Sequence, residues 1–228
     1  MRNVVKGWSP RSAATTLAIV LAVGGIAAFV VGYANRRMPP PRPSAAAAGR
    51  ITPTTAPALR STSTARPTAS TRPATPSAAT RFGRLPISIS IPSIGVQSPI
   101  VGLGLNADGT VEVPSSFHEA GWYRYGVEPG QIGPSVYLGH VDSTSGPGVF
   151  YRLGALRPGD HVVIQRADGR LVTFVITGVR QYSKTAFPTL DVYADTAVPT
   201  IRLVTCGGAF DSATHHYLSN IVAFGQLA

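Results

Sequence analysis

Between Ala13 and Tyr33 the chain reads AATTLAIVLAVGGIAAFVVGY, 21 residues without a charge. As an α-helix this run rises roughly 32 Å at about 1.5 Å per residue, which matches a hydrocarbon core of about 30 Å. Basic residues flank it on both sides: Arg2, Lys6 and Arg11 before, Arg36 and Arg37 after. A cleaved secretory signal would have a shorter apolar core and a small-residue cleavage site. The sequence that follows here is Asn35-Arg36-Arg37-Met38-Pro39. A buried core helix would need cover that nothing nearby in the chain supplies. A transmembrane helix over residues 13–33 is therefore expected, behind a short basic tail at residues 1–12. The flanking charges are nearly balanced, so the positive-inside count does not orient it. A short tail inside and the long remainder outside the cell is the arrangement these lengths suit.

Charge divides the rest. Residues 1–84 hold 12 of the 20 Lys+Arg and none of the 10 Asp+Glu, so residues 85–228 carry a net −2 within a chain of formal charge +10. A basic chain invites a nucleic-acid reading. Here the excess belongs to the N-terminal third, and the C-terminal part has no basic stripe, so no nucleic-acid partner is expected. Residues 34–84 are rich in Pro, Ala, Ser, Thr and Arg, with few large apolar side chains. Such a segment buries too little surface to offset the entropy of ordering, and reads as a disordered linker stiffened by proline.

Residues 85–228 read as the folded domain. Short apolar runs alternate with Gly, Pro and Asp turns: 87–91, 111–113, 135–141, 161–166, 171–179, 200–206 and 220–227. Arg166-Ala167-Asp168-Gly169-Arg170 is a hairpin turn signal. No helical period is sustained after residue 85, which leaves room for short helices or 3₁₀ turns near 150–156 and 191–196. The class is all-β, a closed barrel or sandwich.

The chain has one cysteine, Cys206, which rules out an internal disulfide and a cysteine-rich zinc site. It ends an apolar run and precedes Gly207-Gly208, a context that suits an exposed nucleophile; a buried structural thiol is the alternative. A free thiol titrates near about 8.5, so only a few per cent is thiolate at neutral pH, and an imidazole partner would take its proton on attack. His140, in Leu138-Gly139-His140-Val141-Asp142, lies at the end of a strand-like run beside a loop, as Cys206 does. His215 and His216 are its rivals; His161 looks like a surface position, and His118 has no evident partner. His140 and Asp142 could offer a metal two ligands on one strand face, but no third is indicated. Phosphate-binding loops and dinucleotide fingerprints are absent, since Gly102-Leu103-Gly104 lacks the third glycine and the helix. No cofactor or metal is expected.

Several of these residues together resemble the sortases, cysteine transpeptidases of Gram-positive cell surfaces. The pieces are Ile91-Pro92-Ser93-Ile94-Gly95-Val96, Gly121-Trp122-Tyr123, Leu138-Gly139-His140-Val141-Asp142-Ser143, Gly148-Val149-Phe150-Tyr151, Phe187-Pro188-Thr189 and Leu203-Val204-Thr205-Cys206-Gly207-Gly208. The Cys-Gly-Gly and Gly-His-Val-Asp forms look most like the class F group of actinobacteria. The resemblance implies a sortase-like eight-stranded β-barrel, with Cys206 as nucleophile and His140 as proton donor and acceptor. It implies cleavage of an LPXTG-like sorting signal through a thioacyl intermediate, which an amine resolves. The implied partners are secreted proteins with C-terminal sorting signals and an amine acceptor on a cell-wall precursor or another surface protein. The implied location is the cell membrane, single-pass, with the catalytic domain extracytoplasmic.

One departure stands out. The family's arginine on the strand after the cysteine has no counterpart, for no Arg or Lys follows Arg202. The region reads His216-Tyr217-Leu218-Ser219-Asn220. Leu218 has no side-chain donor, whereas Asn220, placed on the same face by alternation, is a possible oxyanion or substrate donor through its amide. Arg124, Arg152 and Arg180 are other candidates. The departure keeps open a second class of function, a catalytically weak sortase-like module that binds peptide or wall polymer. An L,D-transpeptidase would place a His-Gly pair shortly before a Cys-x-Arg; here 66 residues separate His140 from Cys206.

Overall fold

The computed structural model describes residues 39–49 and 83–228. The expected membrane helix at 13–33 and most of the expected linker lie outside the described residues. Among the described residues no helix is long and apolar enough to cross a membrane.

Eight strands close a barrel: β1 (Pro86–Ile91), β2 (Val96–Leu103), β3 (Ala120–Tyr123), β4 (Gly133–Leu138), β7 (His161–Arg166), β8 (Leu171–Ser183), β9 (Pro199–Asp211) and β10 (His216–Leu227). A two-stranded hairpin, β5 (Asp142–Ser143) and β6 (Gly146–Pro147), sits between β4 and β7. Around the barrel the order is β1-β2-β3-β4-β9-β10-β8-β7. Two of the pairings are parallel, β2 with β3 and β4 with β9. Closure leaves no unpaired sheet edge. The domain also holds one short α-helix, α1 (Thr189–Tyr193), and 3₁₀ turns at Pro92–Ile94, Leu153–Ala155 and Lys184–Ala186.

The burial pattern explains the strands. Along β8, buried and part-exposed residues alternate from Leu171 to Gly178, the signature of a strand with one face in a core. β4 is different, with five consecutive buried residues. Tyr137 faces the barrel interior with Ile201, Leu203, Phe174 and Ile221. Val136 faces outward into a second cluster with Val192 of α1, Val204, Val222 and Phe224. β4 is thus covered on both faces, which is where parallel pairing is found.

The expected strand at 111–113 does not form: Val111 makes only an isolated bridge to Leu105. The runs at 87–91, 161–166, 171–179 and 220–227 are strands, the last two longer than expected. The 135–141 run stops at Leu138, before His140. The turn at 166–170 closes as predicted, with Arg166 N–H donating to Arg170 O at 2.9 Å and Gly169 at φ +79°.

A second difference concerns the expected linker. Residues 40–49 pack on the barrel. Ser44 caps a 3₁₀ turn, Ala45–Ala48, its Oγ accepting from Ala47 N–H at 3.2 Å. Ala47 is fully buried against the core. Small side chains let the backbones approach closely, and a Cβ at Gly178 would lie 2.9 Å from Ala48 O. A Cβ at Gly154 would overlap the Pro41 carbonyl oxygen, although the backbone at Gly154 is one that alanine adopts. Gly154→Ala is therefore expected to detach the 40–49 segment while the barrel stays closed. Limited proteolysis should then cut between residues 40 and 49, and stability should fall by about 1–3 kcal/mol, the usual cost of overpacking.

Candidate active site

The parallel register of β4 and β9 sets the site. Leu138 is paired with Val204, and the pairing continues one step further, Gly139 N–H donating to Val204 O at 3.1 Å. His140 and Cys206 each lie two residues beyond that pair, His140 just past the end of β4 and Cys206 within β9, in neighbouring segments that run the same way. They reach the same end of the barrel side by side. Alternation along β9 turns Ile201, Leu203 and Thr205 to the interior, and Arg202, Val204 and Cys206 to the outer face.

Cys206 is neither sealed in the core nor fully exposed. It does not end its strand, as the sequence reading had it. β9 continues to Asp211 through a bulge, in which the register shifts so that Gly208 and Ala209 oppose Leu218. Gly208 has φ +83°, a backbone that favours glycine. The extra residue of the bulge belongs to β9; along β10 the alternation continues, with Leu218 exposed, Ser219 buried and Asn220 half-buried, so Leu218 and Asn220 share one face. Asn220 keeps its position, directly opposite Cys206 in the β9–β10 ladder, and Leu218 is exposed to solvent.

His140 is held on several sides. Its Nε2 lies 2.7 Å from Pro114 O. A carbonyl oxygen only accepts, so Nε2 carries the proton and donates it, and in the neutral ring Nδ1 is the nitrogen with a free lone pair. Phe117 packs on the imidazole, ring centroids 4.4 Å apart. The His140 backbone carbonyl accepts from Phe150 N–H at 3.0 Å. Gly148 lies against it so closely that a Cβ there would be 2.5 Å from His140 O and 3.0 Å from His140 Cβ. Neither Pro114 nor Phe117 was found from sequence. The one available signal was Phe117 itself, a large apolar residue stranded in a polar loop.

The other histidines are elsewhere. His118 and His161 are exposed. His215 and His216 lie beyond Asp211 at the tip of the β9–β10 hairpin, five or more strand residues from Cys206, about 16 Å of extended chain. Two of the candidate arginines have partners of their own. Arg124 lies over the Tyr125 ring, and Arg180 donates to Gly49 O at 3.4 Å. Arg202 shares the outer face with Cys206, yet its Nε donates to Asp191 O at 3.1 Å, its Nη1 to Ile201 O at 3.0 Å, and its guanidinium lies 4.9 Å from the centre of the Phe224 ring. Burial lowers its pKa to about 10, opposed by Asp191, so it stays charged at neutral pH. Arg152 is exposed at the start of the 3₁₀ turn. Among the described residues no group of three His, Cys, Asp or Glu side chains could hold a metal ion.

Beside the pair, Tyr217 Oη donates to Asp142 Oδ2 at 2.6 Å. Desolvation raises the pKa of the Tyr217 hydroxyl, and the Asp142 carboxylate, Tyr151 and Cys206 push it the same way. The hydroxyl therefore remains protonated and donating at neutral pH.

What the arrangement can do follows from its parts. A thiol on a strand face, an imidazole at the same barrel mouth with one nitrogen free, and an amide donor across the ladder make up the equipment for acyl transfer. No curated protein matches the chain. Among solved structures it is similar to sortase A of Corynebacterium diphtheriae, a lid mutant, at 20% identity over 62% of this chain and 68% of that one, with a TM-score of 0.49. It is also similar to sortase C2 of the Group B Streptococcus pilus island 1 (17% identity, 62% and 72% covered, TM-score 0.48) and to sortase A of Listeria monocytogenes (20% identity, 63% and 87% covered, TM-score 0.46). The model of the sortase domain matches residues 89–228, which hold the whole barrel apart from the start of β1 and both residues of the pair. The chain thus belongs to the sortase family, whose members are cysteine transpeptidases.

Proposed function

We propose that this chain is a membrane-anchored sortase in which Cys206 is the nucleophile and His140 the proton carrier, acting on an LPXTG-like sorting signal. The observation that carries the reading is the β4–β9 register, which delivers both side chains to one mouth. In the proposed cycle the Cys206 thiolate attacks the Thr–Gly carbonyl carbon. The C–N bond breaks, and the His140 imidazolium gives its proton to the leaving amine. A thioester remains on Sγ. An incoming amine attacks that thioester and passes its proton to Nδ1 of His140 as the C–S bond breaks. One amide is exchanged for another and the thiolate returns.

Asn220 is the proposed donor to the oxyanion, from its place opposite Cys206. The uncharged run at 13–33 supports the membrane anchor, and with the family it supports a barrel outside the cell. The Cys-Gly-Gly and Gly-His-Val-Asp forms support a class F assignment. The acceptor amine belongs to a wall precursor or to another surface protein. One observation favours the second reading, a weakly active binding module: no Arg or Lys follows Arg202, so β10, the strand opposite Cys206, offers the oxyanion no guanidinium or ammonium group.

Intact-mass measurement after incubation with a panel of LPXTG-type peptides separates the two. An acyl adduct that disappears in Cys206→Ala is expected of the enzyme; unmodified protein across the panel would favour the module. His140→Ala should abolish acyl transfer while circular dichroism stays native; unfolding would mean the residue is structural. Asn220→Ala should lower kcat by roughly 10²-fold, as loss of one oxyanion donor does elsewhere. An unchanged kcat would remove Asn220 from the site. Gly148→Ala, whose added methyl group meets the His140 carbonyl and Cβ, should push His140 off its Pro114 contact and lower kcat about 10²-fold, the scale of a displacement near 1 Å.

A further inference from the structure

We propose that Tyr217 and Asp142 form a clasp that positions His140 against Cys206, making Tyr217 a positioning residue of the reaction. The inference rests on the reading of Cys206 and His140 as the reacting pair. It starts from what holds His140 to the strand that carries the thiol. Upstream, Gly139 N–H is bonded to Val204 O, and there the β4–β9 pairing stops. From His140 onward the chain leaves β9 and folds into the β5–β6 hairpin. That hairpin is held together from within: Gly148 N–H donates to Val141 O at 2.8 Å and Phe150 N–H to His140 O at 3.0 Å. These bonds make residues 140–150 a unit. They do not attach the unit to β9 or β10.

The Tyr217–Asp142 bond does. Asp142 opens β5, two residues after His140, and Tyr217 lies near the start of β10, just past the turn that follows the Cys206 strand. The bond joins residues 75 apart in sequence. With the Gly139 bond it brackets His140, one tie on each side. The phenol is itself fixed on the hairpin that carries the thiol: Tyr217 pairs with Phe210 of β9, and the two rings meet edge to face, centroids 5.2 Å apart. A rigid ring thus carries the hydroxyl to the carboxylate, and the bulge between Tyr217 and Ser219 sets its reach. Hydrogen bonds to a carboxylate are among the stronger neutral-donor bonds, and this one is short.

The test uses the full-length chain, an LPXTG-type peptide from the reactive panel, and iodoacetamide, which reports on the only cysteine in the sequence. Tyr217→Phe keeps the ring and removes the donor. Asp142→Ala removes the acceptor, and Asp142→Asn restores an acceptor without charge. The clasp predicts that Tyr217→Phe and Asp142→Ala each lower kcat about 10–100-fold with KM within about twofold. It further predicts that the double variant is no slower than either single one, and that Asp142→Asn recovers most of the rate. Alkylation of Cys206 at neutral pH should slow in the same order. Wild-type kcat in folded Tyr217→Phe would overturn the proposal. Additive losses in the double variant would do so too, as would an Asp142→Asn no better than Asp142→Ala, which would mean that charge matters and attachment does not. If Tyr217→Phe does not fold, the two Asp142 variants decide, because they leave the Tyr217–Phe210 packing in place. His140→Ala distinguishes the levels: wild-type turnover there would end the underlying reading, whatever the clasp does.

Discussion

Parallel pairing of β4 with β9 is the constraint on which the site depends. Leu138 and its partner Val204 lie 66 residues apart in sequence, yet their strands run side by side in the same sense. An antiparallel arrangement would send one of the two side chains to each end of the barrel. The parallel one carries both to the same mouth, so chemistry that needs a thiol and an imidazole in reach becomes a matter of register. Register is in turn fixed by burial. β4 is enclosed on both faces, by the barrel core on one side and by α1 and its cluster on the other. A slip of one residue would move Tyr137 out of the interior and put Val136 in its place.

At the mouth the regular pattern is given up on both strands, and that is what makes the groups accessible. β4 ends at Leu138, and the chain turns away under cover of Phe117, Val149 and Phe150. β9 continues, but a bulge at Gly208 and Ala209 bends it just past the thiol. The backbone around His140 is packed against a glycine that has no room for a methyl group. Its imidazole is oriented by a carbonyl, which fixes the tautomer as well as the ring plane. A carboxylate in that role would also stabilise the imidazolium; the Pro114 carbonyl orients the ring with less charge.

How much of this the sequence disclosed depends on whether the signal was local. The Ile-Ser alternation at 87–91, the Asp-Gly turn at 168–169 and the 171–179 run are readable because period-two burial and turn chemistry act over a few residues. Cys206 and His140 stood out because their residue types are rare and their settings alike, and family resemblance linked them. The failures are non-local. Val111–Val113 has the composition of a strand and lacks a partner. β2 and β3 were not named as strands because their pairing, not their pattern, defines them. The bulge in β9 depends on two strands meeting, so nothing local in residues 206–211 marks it. Residues 40–49 were read as part of a disordered linker by composition, and composition fails there because alanine and proline pack where the opposite surface is glycine. Pro114 was invisible for a simpler reason, since a backbone carbonyl has no sequence signature.

The missing arginine looks different once the outer face is in view. A cation is present on the Cys206 face of β9, four residues upstream, but it serves the wall. Arg202 is buried, and its hydrogen bonds go to the Asp191 and Ile201 carbonyls, which pins α1 over the sheet. Two pleat repeats separate it from the thiol, roughly 13 Å of strand. Freeing it would cost those bonds and uncover Val192 and Phe224. Arg202 is therefore not a donor to the negative charge that would develop beside Cys206 in the proposed reaction. An amide donor such as Asn220 contributes less than a guanidinium in the same place, since charge-assisted hydrogen bonds are roughly twice as strong as neutral ones. A site built this way depends more heavily on geometry: with less electrostatic attraction to absorb a misplaced group, the position of the imidazole relative to the thiol must be held closely. The number of separate contacts that fix His140, through Pro114, Phe117, Gly148, Phe150 and the Asp142–Tyr217 bond, is what such a site requires.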